Sequence, residues 1–216
     1  MMATQSLAER AVDAVAVAQF DVYLVGVGGQ GVLTIGDLIA EAAMERGLPV
    51  NFYPTKGMAQ RGGSVTVQVR IGREVVGPQM PERQADLVIA MERSEALKAI
   101  RFAKEDGDFL LYGRVWEPTK VMLGRAEYPT LTQVRERVSA AGARFHYLDP
   151  AGLPLRDGRP LPANVYVLGA AVGGTGLGEV LDPEVVGGVV ASRWKRYAAV
   201  NEAAFRAGLE AGRDGA

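Results

Sequence analysis

An apolar, strand-like stretch, Tyr23-Leu24-Val25, runs directly into Gly26-Val27-Gly28-Gly29-Gln30-Gly31 and then into a helical pattern. That succession restricts the fold strongly. A glycine turn between a strand and a helix lets the chain reverse sharply and leaves backbone N–H groups and a helix N-terminus open to an anion. From Gly31 to Arg46, Leu38, Ile39, Ala42 and Ala43 recur at helical spacing, and Gly47 with Pro49 stops the helix. Strands are then expected at Val50–Tyr53, Ala85–Met91, Asp108–Tyr112 and Ala143–Leu148, with helices at Ser94–Ala103 and Thr130–Ala141. This alternation predicts a three-layer α/β/α domain with a mainly parallel sheet. Ser64–Ile71 sets Val65, Val67, Val69 and Ile71 against Ser64, Thr66, Gln68 and Arg70, the pattern of a half-buried strand. Gly72-Arg73 reads as a tight turn into Glu74–Val76, so a β-hairpin insertion is expected.

Toward the C-terminus, residues 149–162 hold Pro150, Pro154, Pro160 and Pro162 and read as a loop. The apolar run Asn164–Gly174 fits a helix or a strand. Asp182-Pro183 is a helix start, with Asp as N-cap, and that helix is expected to run through Trp194 and Tyr197. Gly173-Gly174-Thr175-Gly176 lacks the lysine and preceding strand of a phosphate loop and reads as a helix end. Residues 1–19 are expected to form a helical extension, with Ser6 and Glu9 in capping-box spacing, and residues 20–216 a single domain.

Composition excludes several chemistries. Cysteine is absent and His146 is the single histidine of the 216 residues. A disulfide framework, a thiolate nucleophile, a cysteine-ligated iron–sulfur cluster and a His-rich zinc site are therefore ruled out on this chain, and no metal site is expected. His146 sits in a strand-like segment and is expected to be structural. A net charge of −1 gives no basic surface for nucleic acid. No apolar run reaches 18 residues, and Met1–Phe20 carries Glu9 and Asp13 without a basic start, so no membrane association and a cytoplasmic location are expected.

The second informative segment is Lys56-Gly57-Met58-Ala59-Gln60-Arg61-Gly62-Gly63-Ser64. A unit binding NAD wants an acid roughly 20 residues beyond its glycines, to hold the ribose hydroxyls. Here Val50-Asn51-Phe52-Tyr53-Pro54-Thr55-Lys56 supplies none and ends in a cation. Gly26, Gly28, Gly29 and Gly31 suit close approach of a phosphate, and Gln30 is placed to hydrogen-bond a ligand or a partner. Arg61 offers a planar fork for carboxylate or phosphate and Lys56 a mobile charge, while Gly57, Gly62 and Gly63 admit another molecule's backbone. Met58, Gln60 and Ser64 complete this second candidate loop. Asn164 fits a helix cap or a ligand contact. The competing reading gives the glycines to strand–helix packing and Arg61 to a partner carboxylate.

In order along the chain, Val25–Gly31, Gly57–Ser64 with its Val-rich strand and Arg70, Ala85-Asp86-Leu87, Asn164-Val-Tyr-Val-Leu-Gly169 and Asn201-Glu-Ala-Ala-Phe205 with Gly208 form a recognisable set. Together they resemble the gamma-type domain of 2-oxoacid:ferredoxin oxidoreductases, most of all the beta (small) subunit of the indolepyruvate enzymes. The resemblance spans roughly residues 20 to 210. It implies a subunit that is inactive alone and completes a site on a large partner carrying thiamine diphosphate and iron–sulfur clusters. The assembled enzyme would decarboxylate an aryl 2-oxoacid, pass electrons to ferredoxin and release an acyl thioester of coenzyme A, a cofactor this chain shares in binding. The rivals are an NAD(P)-dependent reductase domain and a noncatalytic docking module.

Overall fold

The computed structural model describes residues 19–56, 63–74, 76–77, 79–116 and 127–215. Residues 1–18 of the expected helical extension lie outside them. Six strands form one sheet in the order β2-β3-β1-β4-β5-β6. They are β1 (Phe20–Val27), β2 (Val50–Lys56), β3 (Ser64–Ile71), β4 (Ala85–Ala90), β5 (Ala103–Tyr112) and β6 (Arg144–Leu148). β1, β4, β5 and β6 are parallel neighbours, whereas β3 runs antiparallel to both β1 and β2. The helices are α1 (Val32–Glu45), α2 (Arg93–Ala99), α3 (Leu131–Ala140), α4 (Ala163–Gly174), α5 (Leu177–Val180), α6 (Pro183–Arg193) and α7 (Ala198–Asp214).

Alternation along β1 divides the core. Val22 and Leu24 face α1, α4, α6 and α7, while Tyr23 and Val25 face α2 and α3. Three layers follow, as expected. The antiparallel hairpin is also present, but at another place in the chain. Glu74 lies in a bend and Val76 has no regular structure. Arg73 is drawn inward, its Nε 3.2 Å from Asp21 Oδ1, which carries the chain over the strand end instead of back along it. The hairpin is the β2–β3 ribbon within the main sheet, joined through residues 57–63. A second, smaller one pairs β7 (Leu155–Arg156) with β8 (Arg159–Pro160) inside the stretch expected to be a loop. Asp157 at φ 52° and Gly158 at φ 73° give it the left-handed turn that suits a two-residue connection.

β3 is more than half-buried, because the Gln68 and Arg70 end of its polar face is covered as well. Gln68 accepts a hydrogen bond from the Met80 amide. Arg70 forks onto Asp21, Nε to Oδ1 at 3.1 Å and Nη2 to Oδ2 at 2.9 Å, so the buried carboxylate is paired. Asn164–Gly174, open between helix and strand, is helix α4. It is apolar all round because the sheet covers one side and α7 another. α4 and α7 run parallel at backbone contact: a Cβ built on Gly208 would lie 2.0 Å from the Tyr166 carbonyl oxygen. Asp182 caps α6 as expected, accepting from the Glu184 amide at 2.8 Å. α6 nevertheless stops at Arg193. Trp194 turns extended, packs its indole on the core, and α7 restarts at Ala198. The Ser94–Ala103 helix likewise ends early, at Ala99, and Ala103 already belongs to β5.

Candidate functional site

β1 leads into α1 on one face of the sheet, and its parallel neighbour β4 leads into α2 on the other. Divergence of this kind opens a crevice beyond the carboxyl ends of the strands, where ligands bind in open α/β sheets. The glycine loop lines that crevice. Gly26 ends the strand where no side chain fits: a Cβ would lie 2.7 Å from Gln30 Oε1 and 2.9 Å from Met91 Cβ. Gly29, at φ 99°, is exposed with open space around it, and Gly31, at φ 77°, caps α1. A Cβ on Gly31 would strike Asn164 at 2.7 Å, so this glycine is needed both for its dihedral and for the close approach of α4.

Gln30 does not project from the loop. Its Oε1 accepts from the Val27 amide at 2.9 Å and its Nε2 donates to the Met91 carbonyl at 3.1 Å. It staples the loop to the end of β4. Asn164 does not cap a helix either. Pro162 holds the cap position, and Asn164 sits in the first turn of α4 against Gly31. The sheet register brings the second candidate segment to the same edge. Val27 stands opposite Ser64, Lys56 opposite Val65, and the Gly28 amide donates to the Gly63 carbonyl at 2.9 Å. Gly57, Met58, Gln60, Arg61 and Gly62 lie outside the described residues.

Between the loop and α4 is a cavity of about 290 Å³, completed by Met91, Tyr112 and Arg114. The first-turn amides of α1 and α4 have no carbonyl acceptors within their own helices, so two positive helix ends converge here with the exposed Arg114 guanidinium. Such a donor set suits a phosphate or carboxylate group, and no side chain bars the approach at Gly29. Burial pushes the Tyr112 phenol above its ordinary range, so it stays neutral on the cavity wall.

A buried acidic corner supports the crevice. Glu92 is fully buried; its Oε2 accepts from the Glu95 amide at 2.9 Å and from Ser94 Oγ at 2.6 Å, and its Oε1 from the Tyr128 hydroxyl. Burial and then the Glu92 carboxylate hold the Tyr128 phenol far above its usual range. Glu95 Oε2 accepts from Ser64 Oγ at 2.6 Å. Ser64 is thus an anchor of the Lys56–Ser64 segment. Sequence reasoning missed Met91, Tyr112, Arg114 and the two glutamates. A cation two residues beyond a buried strand was the available signal for Arg114; the glutamates gave none, since an acid before a helix usually serves as a cap.

His146 is far from this crevice. Its Nε2 lies 2.8 Å from Asp108 Oδ1, and the same buried carboxylate accepts from Arg144 Nε at 2.9 Å and the Gly176 amide at 3.0 Å. The acidic partner that its sequence neighbourhood lacked comes from β5. Among the described residues, no helix is long and apolar enough to cross a membrane.

Fold and crevice together define a doubly wound domain with a glycine loop lining the crevice beyond its strand ends. Residues 21–211 match the family model described as pyruvate ferredoxin/flavodoxin oxidoreductase, and the chain belongs to that family. Among its relatives, indolepyruvate oxidoreductase subunit IorB of Archaeoglobus fulgidus is 40% identical over 155 residues, covering 72% of this chain and 77% of that one. The subunit of the same name from Thermococcus kodakarensis is 36% identical over 153 residues, 70% of this chain and 76% of that one. In structure the chain is similar to pyruvate oxidoreductase subunit PORC of Thermotoga maritima, with a TM-score of 0.65 at 22% identity over 89% of this chain and 96% of that one. The expected gamma-type domain of a 2-oxoacid oxidoreductase is thereby borne out, and the chain is a subunit of such an enzyme.

Proposed function

We propose that this chain is the small subunit of a thiamine diphosphate-dependent indolepyruvate:ferredoxin oxidoreductase, and that its glycine-lined crevice holds an anionic part of coenzyme A. The aryl 2-oxoacid assignment rests on the IorB relatives at 36% and 40% identity. The single observation carrying the crevice assignment is the convergence of two helix N-termini, an exposed glycine and Arg114 on one cavity. A solved relative from Magnetococcus marinus, a 2-oxoglutarate:ferredoxin oxidoreductase with coenzyme A bound, has the same fold, with a TM-score of 0.62 at 18% identity over 91% of this chain and 31% of that one.

In this reading a large partner carries thiamine diphosphate and the iron–sulfur clusters and passes electrons to ferredoxin in the cytoplasm. Thiamine diphosphate supplies the carbanion chemistry of decarboxylation. This chain's residues bind and orient the thiol acceptor: Gly29 and the α1 amides face the anion, Arg114 adds a charged donor, and Gln30 holds the loop. Lys56, Met58, Gln60 and Arg61 would reach the shared site from the adjoining segment. No acid stands near residues 51–56 to serve a nicotinamide nucleotide, which disfavours the reductase alternative.

Co-expression with the large subunit tests the reading. Indolepyruvate-dependent reduction of a viologen dye is expected only with both chains present and only with coenzyme A. Full activity of the large chain alone would overturn it. In the complex, Arg114→Ala is expected to raise the KM for coenzyme A about tenfold, the worth of one charge-assisted hydrogen bond, and to leave kcat nearly unchanged. An unaltered KM would remove Arg114 from the site.

A further inference from the structure

Of the large apolar side chains exposed among the described residues, four stand at the crevice end of the molecule: Val115 (47%), Trp116 (45%), Leu155 (67%) and Tyr197 (57%). Topology places them there. Val115 and Trp116 follow β5, whose continuation is tied to β6 by the Gly113 amide donating to the Leu148 carbonyl at 3.0 Å. The β7–β8 hairpin bearing Leu155 lies between the end of β6 and the start of α4. Arg156 Nη1 donates to the Ala199 carbonyl at 3.0 Å, which fixes the hairpin beside the first turn of α7 and so beside Tyr197. A two-stranded hairpin gains little stability alone, and both strands of this one are exposed. A bare leucine beside a left-handed turn is a projecting contact element, not a core element.

Charge around the patch is unbalanced. Arg114, Arg156, Arg159, Lys195 and Arg196 are exposed, against exposed Glu127, Asp149 and Asp157. The surface is thus apolar with a cationic surround, and it adjoins a crevice that offers anion donors but no reacting group of its own. We propose that the β7–β8 hairpin, bearing Leu155, and the neighbouring Tyr197 just before α7 form the element that docks on the large thiamine-binding subunit, entering an apolar socket rimmed by carboxylates. The occupant follows from charge and from continuity with the crevice: a cofactor shared between chains must be enclosed at this end. The proposal rests on the function proposed above.

The test is titration of the purified chain against the purified large subunit at low and moderate salt, with wild type, a Leu155→Asp/Tyr197→Asp double variant and Arg159→Glu. Both aspartates replace exposed side chains, so circular dichroism and melting should match wild type. The double variant is expected to bind about 100-fold more weakly, as the loss of central apolar anchors requires. Arg159→Glu is expected to weaken binding and flatten its salt dependence. Unchanged affinity in the double variant overturns the proposal while leaving the subunit assignment intact. So does a wild-type dimer of this chain that the double variant abolishes, because the patch would then serve a second copy. Absence of any wild-type binding overturns the function proposed above and the docking element with it.

Discussion

Gly208→Ala should destabilise this chain by about 3 kcal/mol, lowering Tm by about 10 °C, because the added methyl has nowhere to go. Its Cβ would meet the Tyr166 oxygen at 2.0 Å and the Ala170 nitrogen at 3.0 Å, both backbone atoms that cannot rotate away. The same holds in reverse, since a Cβ on Gly169 would lie 2.2 Å from the Phe205 oxygen. The two helices would have to separate, and the loosened core would extend to the sheet face that α4 covers. Gly188→Ala is the matched control. It lies on α6, exposed and with nothing within 4 Å of a built Cβ, so the substitution should be neutral or gain up to about 1 kcal/mol of helix propensity. Thermal or urea unfolding of the two variants measures the difference. Equal stabilities would show that α4 and α7 are not in backbone contact.

Asp108→Asn should cost about 2 kcal/mol at neutral pH and nothing in strong acid. Burial alone would raise the Asp108 pKa, but hydrogen bonds from His146, Arg144 and the Gly176 amide outweigh it and bring the group from 3.8 down to about 2. A carboxyl whose folded pKa is depressed adds stability that is present above its unfolded pKa and lost as pH falls through the folded value. The wild-type advantage should therefore be full above about pH 4 and fade toward pH 2. Urea titrations of both proteins across that window test it. A constant difference from pH 7 to pH 2 would mean that Asp108 acts through shape and not through charge. Either outcome concerns the end of the sheet opposite the crevice, so subunit docking and coenzyme A binding should change little.

The contrast between these residues explains what was legible. Gly26–Gly31 could be placed from sequence because a strand, a glycine turn and a helix are contiguous, and local geometry needs no distant partner. Gly31 required one more fact, the Asn164 side chain beneath it, which arrives from 133 residues away in the chain. Gln30 depends on the same kind of fact: its polarity suggests an outward donor, whereas its amide is engaged by Met91 of the adjacent strand end. His146 lacked an acid in its neighbourhood, and β5 supplied one.

By itself the sequence determined the alternation of strands and helices, the glycine turn, the absence of cysteine chemistry and membership in a family whose motifs occur in order. These are local or compositional properties, and contiguous residues carry them. Tertiary structure alone decided that β3 is inserted antiparallel between β1 and β2, that its polar face is buried against Asp21 and Met80, and that α4 is a helix. It also decided that Arg114, Asn164 and the glycine loop share one cavity. Those outcomes depend on which surfaces meet, and a helix covered on two sides carries no periodicity from which its neighbours can be read.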